Sequence, residues 1–213
     1  MSSVESEIYL IRHAESVMNL EADDIIQGRS NHVLLTELGV DQAKFLGACL
    51  LDRNIFPDYV HSSPAVRSID TADHSLTEMG LDLRPRIHDG LQELSQGEFE
   101  GKDRKQTYNP EVVAEIKRLD KDFKLPGGES MNDTTERMWA WMNEVIKPIK
   151  EPGVHFVYSH GLAIRCMISR LFNPVWSRAE IRGYLTPNTS VTKIVGNGDN
   201  WKVEYTSKTP AHL

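Results

Sequence analysis

Alternating strands and helices predict an α/β fold for this chain. The expected form is a three-layer sandwich with a mostly parallel central sheet, helices on both faces, and an antiparallel edge strand. Three observations carry that expectation. Short, β-rich apolar runs each lead through a loop into a helical pattern. Helix start signals follow those runs at Thr36 and at Ser63-Pro64. Two late β-rich runs flank Asn197-Gly198-Asp199-Asn200, a hairpin signal.

The first run, Ile8-Tyr9-Leu10-Ile11, is read as a buried strand ending in Arg12-His13. Thr36 is placed as the N-cap of a helix reaching about Arg53, with Val40, Ala43, Leu46, Leu50 and Leu51 near helical spacing. Pro57-Asp58 turns the chain into a second strand, Tyr59-Val60-His61. Ser63 as cap and Pro64 at the first helical position start a helix to about Met79. A third, shorter strand is expected over residues 84–87. Residues 97–128 are polar, with helical pieces around 112–119. They read as a mainly helical insertion over one face of a single domain spanning 1–213. A long helix is expected over 131–146, with Trp139, Met142 and Ile146 sharing one face. Val154-His155-Phe156-Val157-Tyr158 is the fourth strand and ends at Ser159-His160-Gly161, before a helix over 162–171. Strands over 190–195 and 201–205 complete the sheet.

A chain of 213 residues can bury a core without a disulfide or metal staple. A net charge of −7 argues against nucleic acid or an anionic membrane as partner. An anionic substrate must therefore be held by a local cluster of positive groups. The two cysteines, Cys49 and Cys166, sit in apolar helical stretches and read as buried small hydrophobes, which suits a reducing, cytoplasmic setting. The acidic start, Met1 to Glu7, lacks the apolar core of a signal peptide, and no run is long enough to span a membrane.

Arg12-His13, Arg67 and His160 each follow a predicted strand closely. Ligands of open α/β sheets bind beyond the carboxyl ends of the strands, where helix N-termini offer free N–H groups to anions. Two arginines and two histidines at that edge would make a small cationic pocket, and guanidinium matches phosphoryl oxygens bidentately. Taken singly, each has a plainer reading: a histidine after a strand is more often structural, Arg67 could be a surface charge, and Glu93 one more solvated carboxylate. Their joint occurrence, in order and each at the end of an element, outweighs those readings.

The joint pattern resembles the histidine phosphatase superfamily, also called the phosphoglycerate mutase-like family. Leu10-Ile11-Arg12-His13-Ala14-Glu15-Ser16 is similar to its nucleophile signature, with alanine at 14 where glycine is commoner. Asn19 falls at its phosphate-binding asparagine, and Gln27-Gly28 resembles the loop that follows. Residues 35–43 are similar to its next helix start, and residues 62–72 to the segment that carries its second arginine, Arg67. Residues 91–101 resemble its acid-bearing segment, with Glu93 as the acid. Residues 126–130 and Ser159-His160-Gly161 complete the set. His61 is read as packing or pocket edge.

The resemblance implies a phosphatase acting on phosphate monoesters of small metabolites. Neutral His13 would attack phosphorus, its other ring nitrogen fixed by a backbone carbonyl. Arg12, Arg67 and a protonated His160 would hold the non-bridging oxygens, with Asn19 and N–H groups near Gly161 finishing the cradle. Glu93 would protonate the leaving oxygen and then activate water, which calls for a carboxyl able to hold its proton. The leaving group is expected to meet residues 102–125 and the loop over 25–32. No metal or cofactor is expected, since none of the eight histidines forms a close His-x-x-x-His pair.

Two alternatives stay open. A cofactor-dependent phosphoglycerate mutase would share every one of these residues, but residues 101–110 lack the basic, tyrosine-rich mutase pattern and the C-terminus is short for a closing tail. A catalytically inactive binding protein of the same fold is the other.

Overall fold

The computed structural model describes residues 5–20, 24–149 and 151–213. The reading of the N-terminus rests partly on Met1 to Val4, which lie outside those residues. The strands are β1 (Ser6–Arg12), β2 (Tyr59–Ser62), β3 (Arg86–Ile87), β4 (Val154–Ser159), β5 (Val191–Asn197) and β6 (Asn200–Lys208). They form one sheet in the order β3-β2-β4-β1-β5-β6. The first four in that order run parallel, and β5 and β6 add an antiparallel edge. The helices are α1 (Val17–Leu20), α2 (Glu37–Asp52), α3 (Val66–Glu78), α4 (Arg104–Thr107), α5 (Pro110–Leu119), α6 (Met131–Trp141), α7 (Gly161–Phe172) and α8 (Arg178–Gly183).

Strand β1 shows why the sheet needs cover on both sides. Successive side chains of a strand point to opposite faces, so a strand with apolar residues at every position must be buried twice. Ile8 and Leu10 pack on one face with Val157, Met138, Ile164 and Met167, under α6 and α7. Tyr9 and Ile11 pack on the other with Phe156, Leu46, Leu50 and Leu76, under α2 and α3. The sandwich expected from the sequence is the one observed. Tyr158 carries its hydroxyl into the second layer and satisfies it against Ser75 Oγ at 2.7 Å.

Several boundaries differ from expectation for identifiable reasons. Thr36 does cap α2, its hydroxyl accepting from the Gly39 N–H at 2.9 Å. Leu51, expected on the inner face, is 41% exposed. Its place in the core is taken by close backbone approach: Gly47 is buried, and a Cβ there would run into the carbonyl of Ser75 on α3. Helix α3 starts at Val66 rather than Pro64, and its N-cap Ala65 has no side-chain bond. Ser63 Oγ accepts from the Ala65 N–H at 3.3 Å and is also engaged by His160 Nε2 at 2.8 Å, while the Val66 N–H donates to Asn31 O. The long helix after Ser130 is α-helical to Trp141 and finishes as a π-turn over Met142–Ile146. Ser130 and Asp133 close its start as a reciprocal capping box. The β5–β6 hairpin turns where expected, with Gly198 at φ +50°.

Candidate active site

Strands β1, β2 and β4 run parallel, so their carboxyl ends meet at one edge of the sheet. Arg12 ends β1 and His13 follows it. Arg67 lies in the first turn of α3, after β2. His160 joins β4 to α7. A cavity of about 300 Å³ opens at this edge, a size that suits a small molecule. Arg12, His13, Asn19, Gln27, Gly28, Arg67, Glu93 and Gly161 all line it. His160 does not; it stands directly behind, fully buried, its ring centroid 5.2 Å from that of His13.

His13 has one orientation and one tautomer. Its Nδ1 lies 2.7 Å from Ala14 O, a carbonyl that can only accept, so Nδ1 carries the proton. Nε2 is then a bare lone pair, and the Arg67 Nε–H points at it from 3.3 Å. Burial, then Arg67 and Arg12, hold the His13 pKa well below the ordinary imidazole value, so the ring is neutral. The surrounding backbone is pinned as well: Ala14 N–H donates to Thr71 Oγ1 at 2.9 Å and Asn188 Nδ2 donates to His13 O at 2.9 Å.

Arg67 is 5% exposed and has no carboxylate partner among the described residues; beyond its contacts to His13 and His160, it spends its donors on carbonyls. They reach Ser30 O at 2.9 Å and Arg29 O at 3.0 Å, which ties the loop over residues 28–30 to α3. Burial lowers its pKa to about 10, still far above neutrality. Arg12 donates through Nη1 to Thr186 O at 2.6 Å, and its buried Nε has no hydrogen-bond partner among the described residues. Gly161 allows this arginine to lie flat against the start of α7, since a Cβ would sit 3.3 Å from Arg12 Nε.

His160 departs from its expected charge. Arg67 Nη2 donates to its Nδ1 at 3.1 Å, so Nε2 holds the proton and donates to Ser63 Oγ. Burial, then Arg67, drive its pKa well below the usual value. The ring is therefore neutral and backs Arg67, where the sequence suggests a protonated ring among the phosphoryl contacts.

Glu93 reaches the N-terminus of α7, whose first N–H groups have no helical partner. Its Oε1 accepts from Ala163 N at 2.9 Å and Leu94 N at 2.9 Å, and Oε2 accepts from Leu162 N at 3.1 Å. Asn19 Oδ1 is occupied by Ser16 N at 2.9 Å and Ser16 Oγ at 3.1 Å, which leaves its amide N–H groups for the cavity. Gln27 Nε2 is tied to Met18 O, and a Cβ on Gly28 would strike the Glu100 carboxylate. Asn19, Gln27 and Gly28 thus sit at the wall by different means, Gly28 through its lack of a side chain.

Several further residues take no individual role in the sequence reading, although Glu129 lies in the segment 126–130 and Arg104 and Tyr108 in 102–125. Glu129 binds Arg29 Nη2 at 2.8 Å and Arg137 Nε at 2.9 Å. Those arginines hold the carbonyls of the acid segment, Arg137 Nη1 reaching Gly90 O at 2.8 Å and Gln92 O at 3.1 Å. Arg165, Arg178 and Arg182 line the cavity from α7 and α8, with Arg104 and Tyr108 opposite. No spacing rule connects these positions; only the fold does.

The arrangement presents an unprotonated imidazole nitrogen to a cationic cavity with one carboxylate, Glu93, among the described lining residues. It can form a bond to an electrophilic centre that carries negative oxygens. A model of the histidine phosphatase superfamily (branch 1) matches residues 8–209. The chain belongs to that superfamily. Among its relatives, a 2,3-bisphosphoglycerate-dependent phosphoglycerate mutase from Chelativorans sp. is 30% identical over 165 residues, covering 75% of this chain and 78% of that one. A phosphoglycerate mutase from Bacillus anthracis superposes with a TM-score of 0.82 at 24% identity, covering 97% and 95% of the two chains. A mycobacterial glucosyl-3-phosphoglycerate phosphatase superposes with a TM-score of 0.76 at 23% identity, covering 95% and 99%. Those two structures show the fold that this histidine phosphatase superfamily member shares, and both activities occur on it. No helix among the described residues is long and apolar enough to cross a membrane.

Proposed function

We propose that this superfamily member hydrolyses phosphate monoesters of small metabolites through a phosphohistidine on His13. The observation that carries the reading is the Nδ1–H bond from His13 to Ala14 O, which leaves Nε2 as a fixed lone pair facing a cationic cavity. In the first step Nε2 attacks phosphorus, the ester P–O bond breaks, and Glu93 gives a proton to the leaving oxygen. In the second step Glu93 takes a proton from water, the new O–P bond forms, and the N–P bond breaks to release phosphate. Arg12 and Arg67 face the non-bridging oxygens throughout, offsetting their charge and holding phosphorus in line between the entering and leaving atoms. Asn19 contributes its free amide hydrogens. His160 acts behind the cavity, fixing the Arg67 guanidinium. The two buried free thiols suit a reducing compartment, and the reading places the enzyme in the cytoplasm, without a metal.

The names of the sequence relatives favour a second reading, a mutase that returns the phosphoryl group to another hydroxyl. Both readings need His13 as the carrier. The deciding experiment is a phosphatase screen over a metabolite panel with wild type and His13→Ala side by side, joined to a coupled assay with 3-phosphoglycerate and 2,3-bisphosphoglycerate. Phosphate release lost in His13→Ala, without isomerisation in the coupled assay, is the expected result. Near-normal turnover by His13→Ala would remove the nucleophile assignment from both readings.

A further inference from the structure

The inner end of the cavity accounts for one phosphoryl group, yet positive charge continues far beyond it. Among the described lining residues six are arginines (Arg12, Arg67, Arg104, Arg165, Arg178 and Arg182) and one, Glu93, is a carboxylate. Arg12 and Arg67 belong to the inner end. Arg104, Arg178 and Arg182 also line an adjoining groove of about 410 Å³, together with Tyr108, Ile116 and Asp120. They therefore stand where the cavity opens outward, between α4 and α8.

Ordinary surface charge does not explain these arginines. Cations on neighbouring elements have acids to meet: Arg118 pairs with Glu115, Lys124 with Asp133 and Arg170 with Glu136. Arg178 and Arg182 lie one helical turn apart on α8, an i,i+4 spacing at which like charges destabilise a helix. The acid on that helix, Glu180, is committed to the capping box with Ser177. The acid in the groove, Asp120, turns both oxygens to the Arg178 backbone N–H at 3.2 Å each. The Arg178 side chain is half-buried, its Nε has no hydrogen-bond partner among the described residues, and its guanidinium lies 5.9 Å from the Phe123 ring. Arg104 also has a buried Nε with no partner among the described residues; its Nη2 reaches Ile25 O at 3.3 Å. Desolvation and then the neighbouring Arg182 depress the Arg178 pKa, a cost that a bound anion would relieve.

We infer that Arg178 and Arg182 of α8, facing Arg104, form a second anion site, so that the preferred substrate is a small phosphate monoester bearing a second negatively charged group. This deepens the phosphatase reading and rests on it for the word substrate. The shared chemistry is a compact anion with two or more oxygens, either a carboxylate or a second phosphate, that guanidinium groups can grip in pairs.

Binding by the His13→Ala protein separates this inference from turnover. The probes are sn-glycerol 3-phosphate, 3-phosphoglycerate, in which a carboxylate replaces the terminal alcohol, and propane-1,3-diol bisphosphate. Calorimetric titration is expected to show at least one of the doubly anionic probes binding about ten-fold or more tightly than glycerol 3-phosphate. Which of the two leads tells carboxylate from phosphate. Arg178→Ala combined with Arg182→Ala is expected to bring that ratio to within about two-fold, mostly by weakening the doubly anionic probe. The single change Arg182→Glu, at an exposed position, is expected to reverse the ratio while the circular dichroism spectrum is unchanged. Equal affinity of the three probes for the His13→Ala protein, or an equal loss for all three in the arginine variants, would overturn the second site. A wild type that releases no phosphate from any monoester, yet keeps the ratio, would overturn the phosphatase reading and leave the second site standing.

Discussion

Arg67 Nε lies 3.3 Å from the bare Nε2 of His13 and donates to it. In the proposed reaction an incoming phosphoryl group would take the place of that contact, and the guanidinium that guards the lone pair would then grip the oxygens. The same side chain also closes the loop over residues 28–30.

Arg67→Lys is therefore expected to lose both functions. A lysine is a point charge and cannot reach His160 and the loop carbonyls together. The expected loss in kcat/KM is about 10²- to 10³-fold, in the range found when a preorganised donor to a developing anion is removed. Steady-state kinetics on an aryl phosphate, beside a thermal melt showing a lower midpoint, checks both parts.

Glu93→Gln removes the proton donor but keeps an oxygen to accept N–H groups at the start of α7. The expected outcome is a leaving-group dependence. Alkyl phosphates slow by about 10²-fold or more, while p-nitrophenyl phosphate, whose alcohol leaves without help, slows much less. A plot of rate against leaving-group pKa for both proteins tests it; parallel lines would count against the role.

Three histidines away from the cavity should make the protein sensitive to acid. His61 Nδ1 lies 3.1 Å from His88 Nε2, and His61 Nε2 lies 3.3 Å from His155 Nδ1. Burial lowers the pKa of His61 to about 3 and of His155 to about 4, and burial also lowers His88. The unfolded chain titrates these rings near ~6.5 and so binds more protons below that pH. Stability is then complete above neutrality, falls as pH drops through ~6.5, and levels off near the folded values. At pH 5 each deeply buried ring costs on the order of 2 kcal/mol. Urea denaturation at pH 7.5 and pH 5 measures the fall, and His155→Phe, which keeps the stack on Tyr59, should reduce it.

Glu129→Gln tests the support of the acid segment. It leaves Arg29 and Arg137, with side chains 32% and 19% exposed, short of their shared anion. Loss of one partner from such a half-buried cluster is expected to cost about 2–3 kcal/mol, below the 3–5 of a fully buried pair. The accompanying fall in kcat should be larger for alkyl than for aryl phosphates, because what moves is the backbone that carries Glu93.

The layers of this protein were legible because both of their signals are local. Ile8 to Ile11 must be covered twice, and Thr36 marks a helix start that no tertiary contact overrides. Ser63-Pro64 misled by two residues: Ser63 Oγ does accept from the Ala65 N–H, as a cap would, but the Val66 N–H is drawn to the distant Asn31 O and the helix begins only at Val66. The inner cavity could be anticipated from residues adjoining strand ends. Its charge state could not: the neutrality of His160 depends on burial beside Arg67, 93 positions away in the chain. Arg137, Arg178 and Arg182 were invisible for the same reason, and Glu129 stood in a marked segment without a role, since each gains its meaning from the residues the fold brings around it.

The walls of the cavity differ in what they are anchored to. His13, Arg67 and His160 hang from the ends of β1, β2 and β4 and from each other, so a change in one disturbs the sheet. Arg104, Tyr108, Arg178 and Arg182 ride on short peripheral helices that carry no strand. The outer wall can therefore be altered with little disturbance of the sheet edge that holds His13, Arg67 and His160.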